Sequence, residues 1–308
     1  MEIIKFLKRI FTTNLNKSKK KIDQEYFFGD YKVILKEDHV LDKYQQSFPL
    51  YDRFLPVLCS SFDGLIVDIG ANIGDTSIAI FSKNLKSFIV GVEPDTLFYR
   101  ECINNIFQNG LTHRFLGVNK FVSTNEGNFC LEKSSTMSTG SISSKINQSG
   151  EKNTISFSEL MDLIPKEKSL KFDILKIDTD GFDWDILNSF VHYGSDLRIK
   201  PRFIFFEMQT YLNNLGVYDE NRNQMIEDYN ASIERLLSIG YNNFCLIDNF
   251  GTPIKITKSI NEIFELNDYI KRSQVHNSHS TIYYMDILAF FDNESEFVTQ
   301  AIENLYKI

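Results

Sequence analysis

The sequence predicts an α/β protein organised on a doubly wound, mostly parallel sheet, and three observations predict it. Leu65, Ile66 and Val67 form a short apolar run of the kind that a strand buried on both faces of a parallel sheet requires. Gly70 and Gly74 then punctuate the chain, and residues 76–85 continue as a helix with Ile78, Ala79 and Phe81 on its inner face. Residues 87–93 give a second buried run, stopped by Pro94, and apolar runs go on alternating with helical segments to the end. A length of 308 residues suits a single α/β domain with decorations, and a 43% apolar fraction that includes 27 Phe and 14 Tyr is that of a globular protein. The expected division is an N-terminal extension or cap over residues 1–60 and the main domain over 61–308, with no internal repeat.

Within the extension, Ile3, Phe6, Leu7 and Ile10 fall on one side of a helix, beside a concentration of positive charge that runs from Lys5 to Lys21. The apolar run is broken too early for a signal segment or a membrane span. A basic amphipathic helix of this kind can lie on an anionic membrane face, although a terminal helix docked on the domain is the preferred reading. Residues 31–41 read as a strand and residues 44–60 as mainly helical, despite Pro49 and Pro56. The net charge of −8 speaks against a general nucleic-acid binder. Cys59, Cys102, Cys130 and Cys245 are scattered without paired spacing, which suggests neither a zinc site nor a disulfide framework and fits a reducing compartment.

In the main domain, the free amides that open the first helix suit an anionic or carboxylate-bearing ligand. Glu93, ending the second strand, stands where an acid takes the hydroxyls of a ribose. Residues 97–108 read as a helix closed by Asn109-Gly110, and residues 114–118 as a third strand. Residues 133–156 are rich in Ser, Thr, Gly, Asn and Lys, show neither helical nor strand period, and are a candidate substrate-contact loop. A short helix over 157–164 precedes a fourth strand over 172–177. Asp178, Asp180, Asp183 and Asp185 follow, with Gly181 allowing the turn. Asp183 and Asp185 are accounted for by the dipole of a helix that begins there. A fifth strand over 203–207 ends in Glu207. Helices over 224–239, 260–272 and 293–308, strands over 244–248 and 282–290, and a polar loop with His276 and His279 complete the chain.

Three ordered motifs, Asp68-Ile-Gly-Ala-Asn-Ile-Gly-Asp75, Val92-Glu93-Pro94 and Lys176-Ile-Asp-Thr-Asp-Gly181, together resemble those of the FkbM-type family of S-adenosylmethionine (SAM) dependent methyltransferases. The resemblance is close over residues 65–207 and looser beyond. It implies a Rossmann-like, seven-stranded class I methyltransferase sheet whose last two strands form the reversed-strand finish. It also implies O-methylation of a hydroxyl, with sugars or polyketide-type natural products as acceptors and S-adenosylhomocysteine as product. Asp68, Gly70, Asn72 and Gly74 would then hold the methionine end of SAM, and Glu93 its ribose. The acid expected after the third strand is missing, so Asn119 or Ser123 is the polar candidate for adenine and Phe121 the packing one.

An aliphatic hydroxyl is a poor nucleophile until its proton is taken, so methyl transfer to one wants a base. Asp178 is the first candidate, by its place at the tip of the fourth strand and by its match to the motif; it also borders the cofactor. Glu207, His276 and His279 come second, histidine because its pKa lies near working pH. Magnesium is the other way to activate a hydroxyl, and Asp178, Asp180 and Glu207 are the oxygens that would present to it, although separate roles for these carboxylates are preferred. The whole fits a cytoplasmic enzyme modifying glycan precursors near a membrane, whose inner face residues 1–21 could touch if they do not dock on the domain. The rivals are a SAM-fold scaffold without catalysis and a nicotinamide-dependent oxidoreductase. The absence of a G-x-G-x-x-G pattern counts against the second.

Overall fold

The computed structural model describes residues 23–36, 39–123, 130–133, 140–143, 153–179, 181–194, 200–211, 219–275 and 282–307. It opens with a hairpin, β1 (Gln24–Phe28) and β2 (Tyr31–Leu35), followed by two short helices, α1 (Leu41–Ser47) and α2 (Phe54–Leu58). Next come β3 (Leu65–Ile69), α3 (Asp75–Lys83), β4 (Phe88–Val92), α4 (Thr96–Gln108) and β5 (Phe115–Val118). Four short strands follow: β6 (Phe121–Val122), β7 (Cys130–Lys133), β8 (Gly140–Ser143) and β9 (Thr154–Ile155). Helices α5 (Phe157–Asp162) and α6 (Lys166–Ser169) lead to β10 (Phe172–Ile177), α7 (Asp183–Gly194), β11 (Phe203–Met208) and α8 (Glu220–Ser238). The last elements are β12 (Asn243–Asp248), β13 (Pro253–Thr257), α9 (Ile260–Val275), β14 (Met285–Phe290) and α10 (Ser295–Leu305).

The main sheet runs β13-β12-β14-β11-β10-β3-β4-β5. β14 lies between β11 and β12 and is antiparallel to both, which is the expected reversed finish. Strand alternation sends side chains to two cores on opposite faces. On one, Val67, Leu175, Ile204 and Phe206 meet Phe190 of α7 and Ile233 of α8. On the other, Ile66, Ile89, Ile174 and Phe203 meet Phe81 of α3, Ile106 of α4 and Val298 of α10. Helices therefore cover both faces, as a doubly wound parallel sheet demands.

The sheet has an eighth strand beyond the seven expected. β13 is an edge strand that begins at Pro253 and shows Lys255 to solvent, features that suit an edge but hide its strand character. The stretch expected to lack period is structured in its described parts. β7 pairs with β8 antiparallel, and β9 runs parallel to β6. Backbone pairing holds these polar segments, and no apolar alternation announces it. The mainly helical stretch expected over residues 44–60 consists of two short helices parted by the turn that carries Pro49.

The hairpin and short helices lie over the domain as a cap. Asn105 of α4 and Asn109 just past its end supply the edge bonds that β2 lacks: Ile34 N donates to Asn105 Oδ1 at 3.0 Å and Lys32 N to Asn109 Oδ1 at 2.8 Å. Farther along, Phe48 stacks on Phe250 at 4.0 Å between centroids. Gly251 there approaches the Leu50 carbonyl so closely that a Cβ would lie 2.2 Å from it. Among the described residues no helix is long and apolar enough to cross a membrane. Residues 1–21 lie outside them.

Candidate active site

Parallel strands deliver their carboxyl ends to one edge of a sheet, and a crevice opens where the winding reverses. Here the reversal falls between β3 and β10, since the chain runs outward from β3 through β4 and β5, then from β10 through β11. Their parallel register sets Lys176 beside Asp68, and the two-residue period of a strand puts Asp178 on the same face as Lys176. Three ionisable side chains are thereby gathered at one point.

Lys176 Nζ lies 3.3 Å from Asp178 Oδ2 and donates to the Gly70 carbonyl at 3.2 Å. It also forms an ion pair of 2.9 Å with Asp68 Oδ1, without the alignment of a hydrogen bond. Ser77 Oγ donates to the other Asp68 oxygen at 2.7 Å. Both ends of this pair are sealed, with side-chain exposures of 3% for Lys176 and 0% for Asp68, whereas Asp178 is 48% exposed. Burial works against the Lys176 charge. Asp178, Asp68 and Asp75 outweigh it together and hold the ammonium above its ordinary pKa. Asp68, expected at the methionine end of SAM, is placed behind the glycine turn, where its influence on a ligand runs through Lys176.

Gly70 opens that turn at φ +81°, where an added Cβ would lie 1.7 Å from the Asp178 carbonyl oxygen. Its amide and that of Ala71 donate to the Val92 carbonyl, while Asp178 N donates to Ile69 O at 3.0 Å. β3, β4 and β10 are thus laced together at their tips. Asn72 follows in the left-handed region at φ +47°, and Gly74 at φ +83° caps α3. Asn72 N donates to Glu93 Oε2 at 2.9 Å, and Asp95 N donates to Glu93 Oε1 at 2.8 Å. Desolvation raises the Glu93 carboxyl to about 7, against the pull of those two amides. Each of its oxygens has room for another donor, as ribose hydroxyls require.

The adenine candidates are placed as braces around this rim. Asn119 Nδ2 donates to the carbonyls of Glu93 and Pro94 at 2.8 and 3.0 Å, Ser123 Oγ donates to Asp185 Oδ2 at 2.7 Å, and Phe121 is buried. Glu207 is buried at the tip of β11, where Gln209 Nε2 donates to it at 3.1 Å. Asp183 does more than meet a helix dipole. One oxygen accepts from Thr179 N and Oγ1 at 2.9 and 2.6 Å and the other from Glu207 N at 2.8 Å, stapling the tips of β10 and β11. Desolvation, then Asp178, raise its carboxyl to about 6.

Reasoning from sequence missed a further wall. Asp52, in the cap, has φ +55° and is exposed to solvent yet ringed by protein. Desolvation pushes its carboxyl up to about 8, with Asp75 and Asp178 adding. Asp286, opposite Glu207 in the β11–β14 register, is raised well above the usual range by burial and then by Asp178 and Asp52. Tyr51 is raised by Asp52 first and burial second, and Tyr284 by burial first. Tyr51 and Asp52 of the cap and Asp286 of the reversed strand thus all feel the Asp178 charge. Only the register of Asp286 against Glu207 was open to sequence, through the pairing of the last strands.

Asp180, His276 and His279 lie outside the described residues. Among those described, no three His, Cys, Asp or Glu side chains are placed to hold a metal, and magnesium has no support here.

A mostly parallel sheet with a reversed strand inserted before β12, a glycine turn and an acid after the next strand define the class I methyltransferase architecture. The model of the methyltransferase FkbM domain matches residues 68–241, more than half of the chain, and the chain belongs to that family. Similar solved structures include the O-methyltransferase TomG from Streptomyces achromogenes, at TM-score 0.45 and 12% identity over 94% of this chain and 99% of that one. An O-methyltransferase from Bacillus cereus gives TM-score 0.42 and 13% identity over 82% and 88%. The METTL16 methyltransferase domain gives 0.41 and 10% over 78% of this chain and 66% of its own. No curated protein matches the sequence.

Proposed function

We propose that the protein is a SAM-dependent O-methyltransferase whose acceptor is a hydroxyl of a sugar, a glycan precursor or a related natural product. The observation that carries this reading is the half-exposed Asp178 carboxylate, held by a buried ammonium beside the glycine turn. The residues fit the cofactor: Gly70 leaves no room for a side chain of its own, and Glu93 retains lone pairs for two hydroxyls. Gly70, Asn72 and Gly74 would hold its methionine end and Glu93 its ribose. Bound there, SAM supplies a methyl that is already activated. The chain's own task is to orient the acceptor, exclude water and remove a proton.

Asp178 takes that proton. Its carboxylate is anchored through Oδ2 to Lys176 and is open to solvent on the crevice side. Tyr51 and Asp52 from the cap and Asp286 from β14 offer a hydroxyl and carboxyls that feel its charge, with Tyr284 just before β14 next to them, and a polyol acceptor can bond to such groups at several points. This polar, acid-rich wall supports a sugar-like acceptor over an apolar one.

A thermal melt with S-adenosylhomocysteine and, separately, NAD tests the cofactor, since a ligand of the native state raises the midpoint by mass action. A rise with the first alone is expected, and a rise with NAD alone would refute the reading. Transfer of labelled methyl to a panel of sugar nucleotides then tests the acceptor. Asp178→Asn should keep the melting response and lower turnover by about 10² to 10⁴, the usual contribution of a positioned base. Unchanged turnover would remove Asp178 from that role.

A further inference from the structure

β10 reads Phe-Asp-Ile-Leu-Lys-Ile, and its lysine is an expensive choice. The strand is buried along its whole length, and an apolar residue at position 176 would serve packing without the desolvation of an ammonium. Compensation comes from three acceptors on three separate pieces of the site: Asp68 on β3, the Gly70 carbonyl in the glycine turn, and Asp178 at the tip of β10. The first two are on the cofactor side of the crevice and the third is the base. A single buried charge therefore links the place of the cofactor to the place of the proton acceptor.

We propose that Lys176 is a positioning residue for methyl transfer: through Asp178 Oδ2 it fixes the base carboxylate relative to the Gly70–Gly74 turn, leaving the other oxygen for the acceptor hydroxyl. The assignment rests on the reading of Asp178 as the base. Among the described residues Lys176 is the protein's contact to that carboxylate, and no side chain is bonded to Oδ1. The raised Lys176 pKa accords with a permanently charged anchor. The plain alternative is that Lys176 serves only to neutralise Asp68 inside the fold. That alternative predicts damage to stability and cofactor binding that owes nothing to Asp178.

The test is a double-mutant cycle between Lys176→Gln and Asp178→Asn, read as labelled methyl transfer to the sugar nucleotide panel and as calorimetric binding of S-adenosylhomocysteine. Because Lys176→Gln leaves the buried Asp68 without its counter-ion, the cycle is repeated with Asp68→Asn/Lys176→Gln, which leaves no unbalanced charge in the core. A misplaced base predicts a fall in kcat of about 100-fold with KM for SAM nearly unchanged. Removing Lys176 from the Asp178→Asn protein should cost nothing more. Equal losses in both backgrounds would overturn the positioning role, as would cofactor binding that falls in step with turnover. These results are separable from failure of the underlying reading, in which Asp178→Asn itself keeps full turnover or the wild type methylates no hydroxyl. In a crystal structure of the Asp68→Asn/Lys176→Gln protein with S-adenosylhomocysteine, the Asp178 side chain should leave its present rotamer while the glycine turn stays in place. An unmoved carboxylate would overturn the proposal without reference to any acceptor.

Discussion

Gly70 shows how little latitude the site allows to a single residue. Its positive φ and the nearby Asp178 carbonyl each exclude a side chain. Gly70→Ala should cost about 2 kcal/mol or more of stability, the scale of a strained backbone position, and should abolish the rise in melting temperature with S-adenosylhomocysteine. A melt with and without that ligand reads both effects. The legible residues of this site are those whose roles are local. Gly70, Gly74 and Glu93 stand next to the strands that place them, and Asp178 ends a strand that apolar pattern alone identifies. Lys176 was in plain view as a charge inside a buried strand, but its meaning depends on the β3–β10 register. Asp52 gave no signal, because the strain and the neighbours that mark it exist only in the folded chain.

The cap is the element whose role sequence left most open. Its helices and turn are fixed by two contacts remote in sequence, the Phe48–Phe250 stack and the approach of Gly251 to Leu50, and by a local bond from Gln45 Nε2 to the Tyr51 carbonyl at 3.0 Å. Those contacts aim Tyr51 and Asp52 at the crevice. Phe48→Ala should lower stability by about 2 kcal/mol, an aromatic pair plus the burial of a half-covered ring, while raising KM for the acceptor and sparing KM for SAM. Steady-state kinetics varying each substrate in turn would show the split, and equal rises in both constants would detach the cap from acceptor binding. The long strands and helices of the main domain were readable from period and stop signals. The short strands β6 to β9 and the edge strand β13 were not, since their pairing relies on backbone bonds that polar residues make as well as apolar ones.

At the scale of the whole molecule, the site concentrates carboxyl groups whose folded pKa values are raised: Asp183 to about 6, Glu93 to about 7 and Asp52 to about 8. Desolvation is the first cause in each. The native state binds these protons more tightly than the unfolded chain does, so their contribution is fully present below the ordinary carboxylate range and is lost as pH rises through the raised values. The melting midpoint should therefore fall from about pH 5.5 to about pH 8.5, and Asp52→Asn should flatten the upper part of that slope. A midpoint that climbs over this interval would contradict the sign. Fold class itself was legible because it follows from the order of buried strands and helices, which a linear pattern records.

The stack of Phe48 on Phe250 joins a segment synthesised early to one synthesised late. A nascent chain that has emerged only through β11 already possesses the glycine turn, Glu93 and Asp178, and β2 of its cap can already bond to Asn105, yet the turn that carries Phe48 lacks its stacking partner until the β12–β13 turn leaves the ribosome. The residues proposed for the cofactor are thus in hand first, and the contact that holds the Phe48 turn over the crevice comes last.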